Sequence, residues 1–153
     1  IMIKYKLICK RCKKSFDSWF SSSKEFERLK KMKLLNCNFC DSLKVEKSLI
    51  QTALNRASVL SNEKYRGVKF ILSKDNLKIC ANNPSKESAE EEISVDYSGD
   101  DLEIGFNISY IQESLSVIHN AEVDFVFYGP ENSCIIKNNK NDNLVHVIMP
   151  MRL

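Results

Sequence analysis

Leu49-Ile50-Gln51-Thr52-Ala53-Leu54-Asn55-Arg56-Ala57-Ser58-Val59-Leu60, closed by Ser61-Asn62, is the stretch from which the fold is read. Its apolar residues Leu49, Ile50, Ala53, Leu54, Ala57 and Leu60 recur at helical spacing, so they share one face of an α-helix. Ser61-Asn62 supplies the stop. A second stripe, Ile108, Ile111, Leu115 and Ile118, predicts another helix with Asn107 as its N-cap. Around the helices lie short alternating or β-branched runs at 68–72, 77–81, 93–97, 102–106, 123–128, 134–136 and 144–149. Turn-forming Asn, Gly, Pro and Ser residues separate them. The pattern predicts an α+β fold, with two helices packed on one antiparallel sheet.

The chain has 153 residues, which is one ordinary domain or two small ones. With 43% hydrophobic and 28% charged residues, it falls in the globular range and outside the disordered or collagen-like classes. No apolar run approaches the ~18–20 residues that span a bilayer, and no signal-peptide pattern is present, so a soluble, cytoplasmic protein without a membrane partner is expected. Charge divides unevenly. Residues 1–50 carry 13 Lys and Arg against 5 Asp and Glu, whereas residues 51–153 carry 10 against 15. This break predicts two units joined near Leu49–Gln51, the first of them drawn to polyanions.

Four of the six cysteines lie in the first unit, as Cys9-Lys10-Arg11-Cys12 and Cys37-Asn38-Phe39-Cys40, 24 residues apart. Paired C-x-x-C spacing lets two tight turns aim four sulfurs at one tetrahedral zinc, leaving no position open for a substrate. The expectation is a structural zinc held by Cys9, Cys12, Cys37 and Cys40 in a small ribbon over residues 1–49. About 50 residues bury too little apolar surface to be stable without such a staple. The plainer alternative is four reduced cysteines in a small core. Ser22-x-x-Glu25 fits a capping box ahead of a short helix bearing Phe26 and Leu29. Phe16, Trp19 and Phe20 are expected to pack around the metal site, with stacking on nucleic-acid bases as the alternative.

Catalytic constellations are missing: there is no Gly-rich phosphate loop and no Gly-x-Ser-x-Gly, and His119 and His146 stand apart. Glu90-Glu91-Glu92 reads as a solvated strand, because alternation sends neighbouring side chains to opposite faces. Cys80 and Cys134 read as core positions. The protein is therefore expected to bind or assemble and not to be an enzyme.

Two resemblances follow from these residues. Met2 through Tyr5, Phe16-Asp17-x-Trp19-Phe20, Phe26, Cys37-x-x-Cys40 and Val45-x-Lys47-x-Leu49 together resemble the start of a short bacterial zinc-ribbon-like family of unknown function, over residues 2–49. Residues 50–153 resemble the third, C-terminal domain of the bacterial β sliding clamp of DNA polymerase III. The motifs are Arg56 through Val68 (RASVLSNEKYRGV), Ala81-Asn82-Asn83-Pro84, Tyr97-Ser98-Gly99, Glu103 through Tyr110 (EIGFNISY) and Met149-Pro150-Met151-Arg152-Leu153, in family order.

That resemblance implies an incomplete sliding-clamp fold lacking its first strand, and a non-catalytic processivity factor of DNA replication. In the family, three domains per subunit close head to tail into a dimeric ring around duplex DNA, so DNA is a partner only of the complete ring. Val59 and Leu60, with Glu87 and Glu90, match the contact with a neighbouring clamp subunit. Tyr65, Asn107, Tyr110, Ser133, Val147, Met149, Pro150, Met151 and Arg152 match the pocket that takes short peptides of DNA polymerase III subunits and other clients. A Met- and Pro-lined groove suits an anchoring Leu or Phe. Without the resemblance, Val147 and Met149 read as the core face of the last strand. Two alternative functions stand beside this one: a zinc-ribbon adaptor for nucleic acid or protein, and a fusion of two separate coding segments with no evolved function.

Overall fold

A computed structural model of the chain describes residues 1–10, 13–32, 35, 37, 42–61, 64, 66–138 and 141–153. The chain forms two compact units, Ile1–Cys40 and Asp41–Leu153.

In the first unit, β1 (Ile3–Ile8) and β2 (Ser15–Phe20) form an antiparallel hairpin, with Ile3 opposite Phe20 and Ile8 opposite Ser15. The turn between them opens at Cys9, whose N–H donates to the Lys14 carbonyl and whose carbonyl accepts from the Lys13 N–H, both at 3.0 Å. Helix α1 (Ser23–Lys31) follows. Its Ser22 cap is the expected one, with Oγ accepting from the Glu25 N–H. The Glu25 carboxylate reaches one residue further back than a capping box requires, to the N–H and hydroxyl of Ser21, and these bonds hold its pKa down. Tyr5, Phe20 and Phe26 form the core, with Tyr5 and Phe26 stacked at 4.3 Å and Phe20 edge-on to both. The expected packing of Phe16, Trp19 and Phe20 into one cluster is corrected by the strand: alternation puts Phe20 inside and Trp19 on the opposite, open face.

The second unit begins with β3 (Ser42–Glu46), which leads directly into α2 (Lys47–Leu60). Then come β4 (Gly67–Ser73), β5 (Asn76–Asn82), β6 (Ser88–Ser94) and β7 (Leu102–Asn107). Helix α3 (Ile108–Ser116) precedes β8 (Glu122–Phe127), β9 (Cys134–Asn138) and β10 (Asn141–Ile148). The strands make two four-stranded antiparallel sheets, ordered β6-β5-β4-β7 and β10-β9-β8-β3, where one sheet was expected. The order β3-α2-β4-β5-β6 repeats as β7-α3-β8-β9-β10. Each half gives its first strand to the other half's sheet: β3 pairs with β8, and β7 with β4.

That exchange moves the domain boundary. The expected division between residues 49 and 50 gives way to one after Cys40, because β3 is hydrogen-bonded along β8 from Ser42–Val126 to Glu46–Glu122. The edge position expected to be vacant is filled. Leu43 and Val45 on β3 are buried in the same core as Ile50, Leu54 and Ala57 of α2 and Ile108, Ile111 and Leu115 of α3. Phe70, Phe106, Phe125 and Phe127 link the two sheets, with centroids 5.4–6.5 Å apart. Both helix stripes are therefore core faces, apart from Leu49, which is exposed, and Leu60, which is half-buried at the end of α2. Asn107 caps α3 as expected, its Oδ1 accepting from the Ser109 N–H at 3.0 Å.

The acidic run behaves as strand alternation requires. Lys78 pairs with Glu90 at 2.7 Å and lies 3.9 Å from Glu92 on one face of β6, while Arg56 takes Glu91 on the other. Cys134 is a core thiol, pushed up in pKa by burial. Cys80 is not in the core: it is half-buried on the outer face, opposite Lys69 on one side and Glu90 on the other. Asp124 is buried on the outer face of the second sheet, and burial raises its carboxyl against the pull of Lys44 and Lys137. A carboxyl raised in this way favours the fold most when protonated, so its contribution to stability falls as pH climbs through its folded pKa.

Candidate peptide-binding groove

Helix α3 and the edge strand β10 enclose a groove of about 450 Å³. Tyr110, Glu113, Ser114 and Val117 line it from the helix, and His146, Val147, Ile148 and Met149 from the strand. The helical set is spaced i, i+3, i+4, i+7, the flank of α3 adjoining its core stripe. The Ser114 hydroxyl is satisfied by the Tyr110 carbonyl at 2.8 Å. Ile148 at the end of β10 is buried, whereas Val147 and Met149 on either side of it are 61% and 67% exposed. Their reading as the strand's core face is thus excluded: they point away from the core and stand open beside Tyr110 and Val117, also exposed. One polar atom in this wall is unspent. His146 Nε2 is buried and has no hydrogen-bond partner among the described residues.

The chain beyond β10 is fixed by two glycines. The Met151 N–H donates to the Gly105 carbonyl on β7 at 2.8 Å, carrying the tail from one sheet to the other. A Cβ on Gly105 would stand 2.5 Å from the Met151 carbonyl oxygen, and one on Gly67 would stand 2.4 Å from the tip of Leu153. The tail lies so close to β4 and β7 that only hydrogen fits beneath it.

Of the residues expected in the pocket, Tyr110, Val147 and Met149 come together in the groove. Asn107 sits one turn earlier on α3, its Oδ1 committed to the cap. Pro150 and Met151 are half-buried in the anchored tail, Ser133 is half-buried before β9, and Arg152 projects into solvent 4.0 Å from Glu131. Tyr65 lies outside the described residues. Sequence reasoning missed Glu113, Ser114, Val117 and His146, although the helical spacing from Tyr110 would have given the first three.

The residues matched to a subunit contact occupy another edge. Val59, 79% exposed, and half-buried Leu60 end α2, which packs along β6. Glu90 lies on β6, an edge strand of the first sheet, and Glu87 in the preceding turn, where its carboxylate accepts from Asn83 Nδ2 at 2.7 Å.

A doubled βαβββ unit with an open apolar groove beside its last strand is the domain plan of a processivity clamp. A family model for the DNA polymerase III beta subunit, C-terminal domain, matches residues 32–152, and the chain belongs to that family. The match takes in β3. The beta sliding clamp of Pseudomonas aeruginosa is 45% identical over 108 residues, which are 71% of this chain and 29% of that protein. That of Escherichia coli K12 is 43% identical over 105 residues, 69% of this chain and 29% of that protein. Among solved structures, the P. aeruginosa DNA polymerase sliding clamp with ligand superposes with a TM-score of 0.74 at 38% identity, covering 91% of this chain and 37% of that one. Caulobacter crescentus pol III beta gives 0.72 at 27% identity, covering 80% and 33%. The chain thus spans less than a third of the length of these curated relatives.

Replacing Gly105 by Ala should displace the tail and destabilise the protein by about 1–3 kcal/mol, the usual cost of an overpacked site. Gly67→Ala meets only the flexible end of Leu153 and should cost clearly less. Urea unfolding of the two variants measures the difference.

Proposed function

We propose that the second unit acts as the C-terminal domain of a DNA sliding clamp, a non-catalytic part of the replication machinery that binds short peptides of DNA polymerase and other clients. The groove between α3 and β10 carries this reading. An edge strand that turns valine and methionine outward beside an exposed tyrosine suits an anchoring Leu or Phe, and methionine adapts to either. Support also comes from a P. aeruginosa clamp solved with griselimycin, which this chain matches at 39% identity and a TM-score of 0.73.

Val59, Leu60, Glu87 and Glu90 are assigned to contact with another clamp subunit, through the β6 edge and the end of α2. Unpaired backbone on an edge strand invites such pairing. Duplex DNA is then a partner of the assembled ring and not of this domain alone. No helix among the described residues is long and apolar enough to cross a membrane. A replication role places the protein in the cytoplasm.

Zinc in the first unit is proposed on the cysteine spacing, with Cys9 at the start of the hairpin turn, its N–H bonded to the Lys14 carbonyl and its carbonyl to the Lys13 N–H. Cys37 is described; Cys12 and Cys40 lie outside the described residues, and among those described no three metal-ligating side chains gather. Zinc would lock the hairpin turn to the chain after α1 and supply no catalysis.

Two outcomes are expected. A fluorescent peptide carrying adjacent Leu and Phe should bind the protein, and Met149→Ala should weaken it about tenfold, the effect of losing roughly 1–2 kcal/mol of apolar contact. Val59→Ala should leave the anisotropy titration unchanged, and equal binding by Met149→Ala would remove the groove from consideration. Protein refolded with zinc should retain one equivalent by elemental analysis, and Cys37→Ser should retain far less; metal-free protein with an intact hairpin would contradict the cage.

A further inference from the structure

We propose that the open face of the β1–β2 hairpin binds single-stranded nucleic acid, with Trp19 as the stacking platform for a base and Lys4 and Lys6 as phosphate contacts. Strand alternation divides the hairpin cleanly. Tyr5, Leu7, Phe16 and Phe20 are the more buried set, and Tyr5 and Phe20 meet Phe26 of α1. Lys4, Lys6, Ile8, Asp17 and Trp19 form the exposed set on the other face. Trp19 is the chain's single tryptophan, and 59% of it is open to solvent. Covering this indole would remove a large apolar area from water.

The surroundings specify what would cover it. Lys4 Nζ lies 5.8 Å from the indole centroid, held there by an ion pair with Asp17 at 2.9 Å. Lys6 stands opposite Asp17 in the strand register, two pairs further along and so on the same face. A cation fixed at the rim of an aromatic face presents a phosphate site beside a stacking site, the combination that single strands require. Residues 1–40 carry eleven Lys and Arg against three Asp and Glu, so the field around the hairpin attracts a polyanion. Asp17 is the single carboxylate of this face, and its position tethers Lys4. A duplex keeps its bases stacked inside and offers a flat hairpin nothing for the indole. The single-stranded form is therefore the one that satisfies both features. This inference stands apart from the groove of the second unit.

The test uses the full chain and its own fluorophore. Oligo(dT) and oligo(U) should each quench the tryptophan emission saturably at low salt, and a preference for either identifies DNA or RNA as the natural source. Affinity should fall as salt rises, by about 0.7 logarithmic units per tenfold salt for each phosphate contact. With labelled oligonucleotide, Trp19→Ala should weaken binding about tenfold. Lys4→Gln with Lys6→Gln should flatten the salt dependence while leaving circular dichroism unchanged. Duplex of the same length bound as tightly, Trp19→Ala bound as tightly, or no quenching at low salt would each overturn the proposal; a preference for an acidic peptide over both oligonucleotides would do so as well.

Discussion

The exchange of first strands between the two halves of the second unit is the constraint on which the rest depends. β3 lies along β8 and β7 along β4, so neither half has a complete sheet without the other. The exchange puts Leu43, Val45, Ile104 and Phe106 into one shared core and brings α2 and α3 side by side, with Gln112 donating to Asn55 at 2.9 Å. Antiparallel strands that pair across halves have high sequence separation, which makes the unit cooperative: removing one edge strand uncovers backbone and apolar surface in the other half's sheet. The chain commits β3 by running it straight into α2, where the Lys47 N–H donates to the Ala121 carbonyl just before β8.

The functional surfaces follow from that plan. β10 is an edge strand flanked on one side by β9, and Val147 and Met149 remain open on its outer face. Helix α3, launched from β7 by the Asn107 cap, supplies the opposite wall. The tail is held across β7 and β4 by a backbone hydrogen bond over Gly105 and by Leu153 over Gly67, just beyond Met149 of the groove wall. β6, an edge strand of the first sheet, carries the glutamates. Edges of different chemistry suit one domain to two kinds of contact.

Much of this was legible in the sequence, and the gaps have physical causes. The stripes Ile50 to Leu60 and Ile108 to Ile118 gave both helices, because a 3.6-residue period is local. Pairing is not local: alternating runs say which residues share a face but not which strands adjoin, so two sheets read as one. β3 offers only Leu43 and Val45 between a cysteine pair and a helix, too short a run to separate from the preceding unit. Val95 and Tyr97 continued the alternation of Ile93, yet the strand stops at Ser94 and the chain turns to a bridge between Asp96 and Lys44. For Val147 and Met149, the residues alone favour the core face, and the likeness to clamp domains chose the open one. Trp19 alternates with Phe20 in sequence, but β2 itself went unread, so which aromatic faced outward could not be assigned.

The most direct test of the account is a hydrogen-exchange footprint of the full chain with and without a short peptide carrying adjacent Leu and Phe. The account predicts slower exchange confined to β10, the residues just after it and the first two turns of α3, with β6 and the end of α2 unchanged. No protection in β10 and α3 at saturating peptide, or protection centred on β6, would contradict it.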